Sequence, residues 1–372
     1  MELFGQTSIQ LILFLILYGV TGVVPLLAAL YLWLYRGNAI APGVTPPVRL
    51  RRWAACFFSV SVLDHVWWLL FCVFYGDIRS MDDLFHSAGY WATVMLDYVA
   101  MLTTLAGTLL SMLQDRRRPV WPVFLAMIPI VALGGVFMVS PDMRLHQIGV
   151  AYIVLLYVLF AVYMVFVVRR YGRWLNDNYA DLENKKVWLS QVVTLACLLL
   201  FILYTFIDIN TTLLMFLMHF SELVLFVLLL WRVETLPNLE TQPLPVRKGP
   251  GGGAVTIDIE QIERLLKERC VAPQLYLRHE LSRQDLAQAV GTNRSYLSQY
   301  FSRQGITYNT YINNLRVNHF IKRYEEGVAA GQAVSAQQLA YESGFGSYRT
   351  FSRAFTERMG KSVTEWIDQS AE

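Results

Sequence analysis

Five ionisable residues sit inside stretches otherwise too apolar for charge: Asp64, His65, Asp97, His219 and Glu222. Carboxylates and imidazoles held together can exchange a proton, bind a small cation or grip a polar ligand. In hydrocarbon each costs a few kcal/mol unless it turns inward and finds a partner. His219 and Glu222 are three residues apart and so share one helix face. Counted from the ends of their apolar stretches, Asp64, His219 and Glu222 lie roughly 11 to 17 Å deep and Asp97 about 12 Å, which lets His219 and Glu222 face Asp64 or Asp97. Two readings follow: a self-satisfied polar cluster that fixes helix register, or the receiver of a ligand, proton or ion. The spacing matches no metalloenzyme pattern, so neither metal nor cofactor is expected.

The C-terminal stretch offers a different chemistry, carried by two copies of one pattern. In LAQAVGTNRSYLSQYF, Ala287 precedes Gly291 by four, and Leu297 and Phe301 follow at helical spacing. In LAYESGFGSYRTFSRAF, 53 positions on, Ala340 precedes Gly344 by four, and Phe351 and Phe355 take the parts of Leu297 and Phe301 with one extra residue in the turn. Each copy reads as a helix-turn-helix. The small residue lets two helices cross closely, the glycine takes the positive-φ turn, and the later apolar pair pins the second helix to the first. Together they form an internal repeat. Pointing away from the pinning residues are Ser295, Ser298 and Gln299 in the first copy and Tyr348, Arg349 and Arg353 in the second. Arginine can chelate guanine O6 and N7, and glutamine can do the same to adenine. Arg294, Arg303 and Ser347 are placed to anchor phosphates. Between the copies, Tyr308, Tyr311, Ile312 and Leu315 mark one face of a helix running to about Glu326, roughly 28 Å long. One turn of duplex is about 34 Å, so the two second helices could enter successive major grooves of double-stranded DNA.

Gly344, Phe345, Ser347, Phe351, Arg353, Phe355, Gly360 and the NLRV run at Asn314 to Val317 resemble the DNA-binding domain of the AraC/XylS family. The resemblance covers about the last 115 residues. It implies a seven-helix domain, both recognition helices touching bases, and the outward residues named above match the family's base-contacting positions. One departure is Val363, where the family usually has proline. Nothing upstream resembles the soluble sugar-binding domain of the best-known members.

The elements that must carry the first set of residues are apolar runs. The chain has 372 residues, 55% hydrophobic and only 16% charged, too apolar for an ordinary soluble protein. Seven runs without Lys or Arg lie near 9 to 34, 53 to 76, 89 to 112, 120 to 139, 147 to 168, 187 to 207 and 211 to 231. Each is long enough to cross about 30 Å of hydrocarbon, and the first is too long, with no basic residue before it, for a cleaved signal peptide. The first, third and fifth connections carry Arg36, Arg49, Arg51, Arg52, Arg116, Arg117, Arg118, Arg169, Arg170, Arg173, Lys185 and Lys186, against Arg79 and Arg144 on the other side. That asymmetry puts the odd connections in the cytoplasm and the N-terminus outside. An odd number of spans then delivers the C-terminus to the cytoplasm. Trp53, Trp121, Trp188 and Trp231 all fall at cytoplasmic span ends, where indoles settle. Gly19, Gly22 and Pro25 predict a bend or close packing in the first span. Outer connections are short, the longest from about Asp77 to Ser87, which leaves no room for a folded external sensor.

The expected architecture is therefore all-α: a seven-span bundle over 1–232 as sensor or anchor, a linker over 233–256 rich in proline and glycine, and a cytoplasmic domain with two helix-turn-helix motifs over 257–372. The linker should average roughly 27 Å end to end and would lose any twist of the last span. The fifth connection, RRYGRWLNDNYADLENKK, reads equally as a segment, able to be helical, lying at the lipid headgroups or as a solvated loop. An amphipathic helix of Ile259, Ile262, Leu265 and Leu266 should pack across the first helix-turn-helix. From Thr292 to Lys361 nine basic residues, Arg316 among them, face four acidic ones, which suits a phosphate-facing side. Cys56, Cys72, Cys197 and Cys270 have no zinc spacing and should be free thiols. The expected function is a non-enzymatic, DNA-binding transcription regulator in a bacterial cytoplasmic membrane. Its partners would be DNA, the lipid bilayer, a second copy as homodimer, and a small or membrane-soluble ligand. A transporter or enzyme with an attached regulatory domain, and a membrane part serving only as tether, are the alternatives; no phosphate loop, nucleophile elbow or inverted repeat supports the first.

Overall fold

The computed structural model describes residues 8–74, 88–140, 142–206, 212–239, 259–332 and 334–371. Among them the regular structure is helical, apart from one isolated β-bridge between Tyr179 and Ser282. Two units emerge: Met1–Arg169 with Val187–Gln242, and Arg170–Lys186 with Pro243–Glu372.

The first unit is built from α1 (Ser8–Leu34), α2 (Val48–Phe74), α3 (Ala88–Ser111), α4 (Trp121–Val139), the first part of α5 (Met143–Asn178), α6 (Trp188–Phe206) and α7 (Thr212–Thr235). Four helical segments among the described residues are long and apolar enough to cross a membrane: Ile12–Leu34, Trp121–Val139, Gln147–Asn178 and Phe216–Thr235. Met95–Ser111 and Trp188–Leu203 are shorter apolar helices. Their outward faces are as apolar as their inward ones, with Leu13, Leu27, Phe124, Ile128, Val158 and Phe166 all exposed. In water such faces would be unstable; in hydrocarbon they are the favoured surface.

Inside, α1 packs on α2 and α7, α2 on α3 and α7, α3 on α4, and α6 on α7. Small residues set these approaches: an added Cβ at Gly107 would fall 2.3 Å from the Trp53 ring, and one at Gly22 3.3 Å from His65. Gly22 therefore serves close packing. Two of the loop arginines have structural work. Arg51 donates to the carbonyls of Leu32, Tyr35 and Gly37 at the end of α1. Arg118, 2% exposed, pairs with Asp115 at 2.7 Å and donates to Leu113 O at the end of α3. Beyond α7 the chain stays attached to this unit, because the Glu234 carboxylate is buried and accepts from Tyr31 Oη at 3.0 Å and Ala39 N at 2.7 Å. Gln114 then accepts from Leu239 N at 2.7 Å and donates to Pro237 O at 2.9 Å. The change of composition at Val233 thus precedes the point where the chain leaves the bundle. The glycine-rich part of the linker, the Asp77 to Ser87 connection and the Cys72 side chain lie outside the described residues.

The second unit holds α8 (Ile259–Leu266), a π-helical turn (Lys267–Val271), a 3-10 turn (Leu275–Leu277), then α9 (Arg283–Val290), α10 (Arg294–Arg303), α11 (Tyr308–Ala329), α12 (Ala336–Glu342), α13 (Tyr348–Met359) and α14 (Val363–Ala371). It has two cores. One gathers Ile262, Leu266, Leu286, Ala287, Leu297, Phe301, Tyr308 and Ile312; the other gathers Val317, Phe320, Leu339, Ala340, Phe345, Phe351, Phe355 and Trp366. Helix α11 crosses from the first core to the second, and its 22 residues make it about 33 Å long.

The fifth connection is helical at its start, as the headgroup reading allowed, but its surroundings depart from both sequence expectations. Helix α5 runs on to Asn178, and the residues after it pack into the second unit instead of lying at headgroups or in solvent. Ala180 is 1% exposed within the first core, and its own carbonyl and that of Tyr179 find specific donors on α11. Asn309 Nδ2 donates to Tyr179 O at 3.1 Å and Ala180 O at 2.6 Å, and Asn313 Nδ2 donates to Ala180 O at 3.1 Å. Burial pushes the Tyr179 phenol up to about 12.

Candidate functional site

Local capping fixes where each helix-turn-helix begins and turns. Ser282 and Asp285 form a reciprocal capping box at the start of α9, and Asn293 caps α10 by accepting from Tyr296 N. Gly291 takes the left-handed turn between them at φ 80°. Ser335 caps α12, Ser347 caps α13, and Gly344 turns at φ 91°. Leu297, Phe301, Phe351 and Phe355 are buried as the pinning residues. At Val363 the first methyls of α14 enter the second core, while Ser362 and Glu365 cap the helix reciprocally, Ser362 N to Glu365 Oε2 at 2.8 Å. Valine in place of proline leaves the helix start intact.

With the pinning faces inward, α10 presents Arg294, Ser295, Gln299 and Arg303 as exposed residues, with Ser298 half-buried. Helix α13 presents Tyr348, Arg349 and Arg353 outward, and Arg353 Nε donates to Glu357 Oε1 at 2.9 Å one turn on. Such an exposed pair holds a guanidinium loosely enough to be traded for another acceptor. Ser347 is half-buried, and its hydroxyl donates to the Glu183 carboxylate of the fifth connection.

Arg316 does not belong to the phosphate-facing set. It is fully buried, donating from Nε to Tyr276 O at 2.7 Å and from Nη2 to Arg278 O at 2.8 Å, with its guanidinium 5.7 Å from the centre of the Phe345 ring. Burial pulls it down to about 10. It ties the turn after α8 to both cores, a role that a count of charges along the sequence cannot distinguish from surface charge. Cys270, also buried, is pushed up to about 11 and is not poised for thiolate chemistry.

The apolar unit assembles part of its ionisable set. His219 Nδ1 and Glu222 Oε2 are 3.1 Å apart on α7. The His219 ring packs edge-on against Tyr18, 5.8 Å between centroids, and Tyr18 packs on His65 at 4.8 Å. His65 also meets Thr21 Oγ1 at 3.1 Å and Ser61 O at 2.9 Å through its two ring nitrogens. His65 and His219 thus both pack on the Tyr18 ring. Asp64 adjoins His65 at 3.9 Å, and Asp97 is buried on α3. Sequence reasoning missed Tyr18 and Thr21, whose three-residue spacing on α1 was the only available signal. A cavity of 40 Å³ lined partly by Met218, Ser221 and Glu222 reaches this cluster, room for a water molecule or two. A separate apolar cavity of 390 Å³ lies among Leu102, Leu109, Met127, Ile153, Tyr157 and Ile202. No group of three or more His, Cys, Asp or Glu that could hold a metal occurs among the described residues.

A family model described as a helix-turn-helix domain matches residues 286–369. No curated protein and no solved structure matches the chain.

Proposed function

Because the C-terminal domain of this chain is an AraC-type helix-turn-helix domain, and so that of a DNA-binding transcription regulator, we propose that the whole molecule couples a signal received in a seven-span membrane domain to transcription. The observation that carries this reading is the joining of helices with apolar outward faces to a domain presenting two capped recognition helices. Ser295, Ser298, Gln299, Tyr348, Arg349 and Arg353 read bases, while Arg294, Arg303 and Ser347 hold phosphates. Within residues 1–232 the apolar helices act as sensor without catalysis, a second copy supplies the dimer, and the membrane is the bacterial cytoplasmic membrane.

Two experiments test the reading. Reporter fusions should place Met1 outside and residues after Trp231 in the cytoplasm, as the loop arginines and lysines demand. The reverse orientation would sink the proposal, since the domain could not reach DNA. In binding titrations of the full chain with its genomic sites, Arg353→Ala should cost roughly 1 to 3 kcal/mol at the specific site. Arg303→Ala should weaken binding to all sequences alike and lower the salt slope by about one. Unchanged specific affinity in a folded Arg353→Ala protein would show that α13 reads with another face.

A further inference from the structure

The acidic part of the fifth connection touches the end of α13 where DNA backbone would approach. The Glu183 carboxylate accepts from Ser347 Oγ and, at 3.4 Å, from Thr350 Oγ1, and the Asp181 carboxylate is so close to Gly346 that an added Cβ would fall 2.6 Å from it. Negative groups at a helix N-terminus gain from the dipole and from free N–H groups, as a phosphate does. In the same segment burial holds the Lys186 ammonium below the ordinary lysine range, with the charges of Arg353 and Arg349 adding to it. It is held on the domain at several further points: the carbonyls of Tyr179 and Ala180 on α11, Arg283 Nη2 to Asn178 Oδ1 at 3.0 Å, and Lys185 to Glu280 at 3.7 Å.

We infer that Asp181 and Glu183 are an internal occupant of the DNA-backbone site at α13, so that the fifth connection and duplex DNA compete for the Ser347 and Thr350 end of that helix. The inference rests on the DNA-binding reading above and adds its control. A phosphate brought to Ser347 must displace Glu183 or share the site with it, and two like charges there repel. Helix α5 is unbroken from Met143 to Asn178. A shift of this helix therefore reaches the segment without passing through the proline and glycine linker.

The test uses the full-length protein in lipid nanodiscs and a 30-base-pair duplex of randomised sequence, whose binding reports backbone contacts. Glu183→Gln keeps the hydrogen bonds and removes the charge, and it should tighten binding about tenfold at low salt. Asn309→Ala loosens the segment where it is held on α11 and should tighten binding about threefold. Wild-type protein titrated with the duplex should become more sensitive to trypsin at Lys185 and Lys186, because displacement exposes lysines that are otherwise covered. Equal affinity of wild type and both variants, with duplex protecting these lysines, would overturn the inference while leaving DNA binding standing. Failure of every form to bind any duplex would overturn the DNA-binding reading and the inference with it.

Discussion

Replacing Gly344 by alanine is expected to destabilise the helix-turn-helix domain by roughly 2 to 5 kcal/mol, the sum of a strained left-handed backbone and a collision. The backbone there sits at φ 91°, and an added Cβ would lie 2.7 Å from Leu277 O and 2.9 Å from its Cα. Those are main-chain atoms of the turn that Arg316 ties in place through Tyr276 O and Arg278 O, so nothing nearby can swing aside. A domain of this size has about 5 to 15 kcal/mol in total, and DNA binding should be largely lost at 37 °C. Gly305 provides the comparison: it too has a positive φ, 67°, but open space beside it. Gly305→Ala should cost about 1 kcal/mol. Thermal unfolding of the two variants side by side separates strain from collision, and equal melting temperatures would refute the close approach at Leu277.

Glu222→Gln should remove regulation altogether, fixing transcription at one level while abundance and insertion stay normal. Under the proposed function, the His219–Glu222 pair at 3.1 Å is the ionisable centre of a cluster that joins α1, α2 and α7 through Tyr18 and His65. A proton or small ion entering the 40 Å³ cavity beside Glu222 would favour one packing of these helices over the other, and a neutral amide of the same shape removes that choice. Glu222→Ala should in addition lower abundance, since His219 would stay buried without its partner. Transcript levels in cells carrying each variant decide the matter. A normal response in Glu222→Gln would return the cluster to the role of fixing helix register.

The helix-turn-helix pair was legible because its demands are local: a small crossing residue, a glycine at the turn and apolar residues at helical spacing each constrain their own neighbourhood. The same holds for Ser282, Asn293, Ser335 and Ser347, which cap helices within three residues of themselves. What stayed hidden depends on contacts distant in sequence. Asn309 and Asn313 look like a polar stripe on α11, and nothing in their spacing pairs them with carbonyls about 130 residues earlier. Arg316 is indistinguishable from a surface arginine until the Tyr276 and Arg278 carbonyls are placed around it. Among the intramembrane residues, the i, i+3 pairing of His219 and Glu222 was readable from helical geometry, whereas the bridging Tyr18 was not, since an aromatic residue in an apolar helix carries no mark of its neighbours.

Ala180 has a consequence for how the protein is made. This residue of the first core is synthesised between the fifth and sixth apolar helices, well before α8 to α14 leave the ribosome. Under the proposed function, the DNA-binding domain therefore receives one piece of its interior from a connection between two membrane spans, and its completion depends on that connection reaching the same side. Under that reading, a copy with this connection on the opposite side would leave Ala180 out of the core that holds Tyr308 and Ile312. Under the proposed function, correct insertion and competence to bind DNA are thereby joined at Ala180 and the carbonyls of Tyr179 and Ala180.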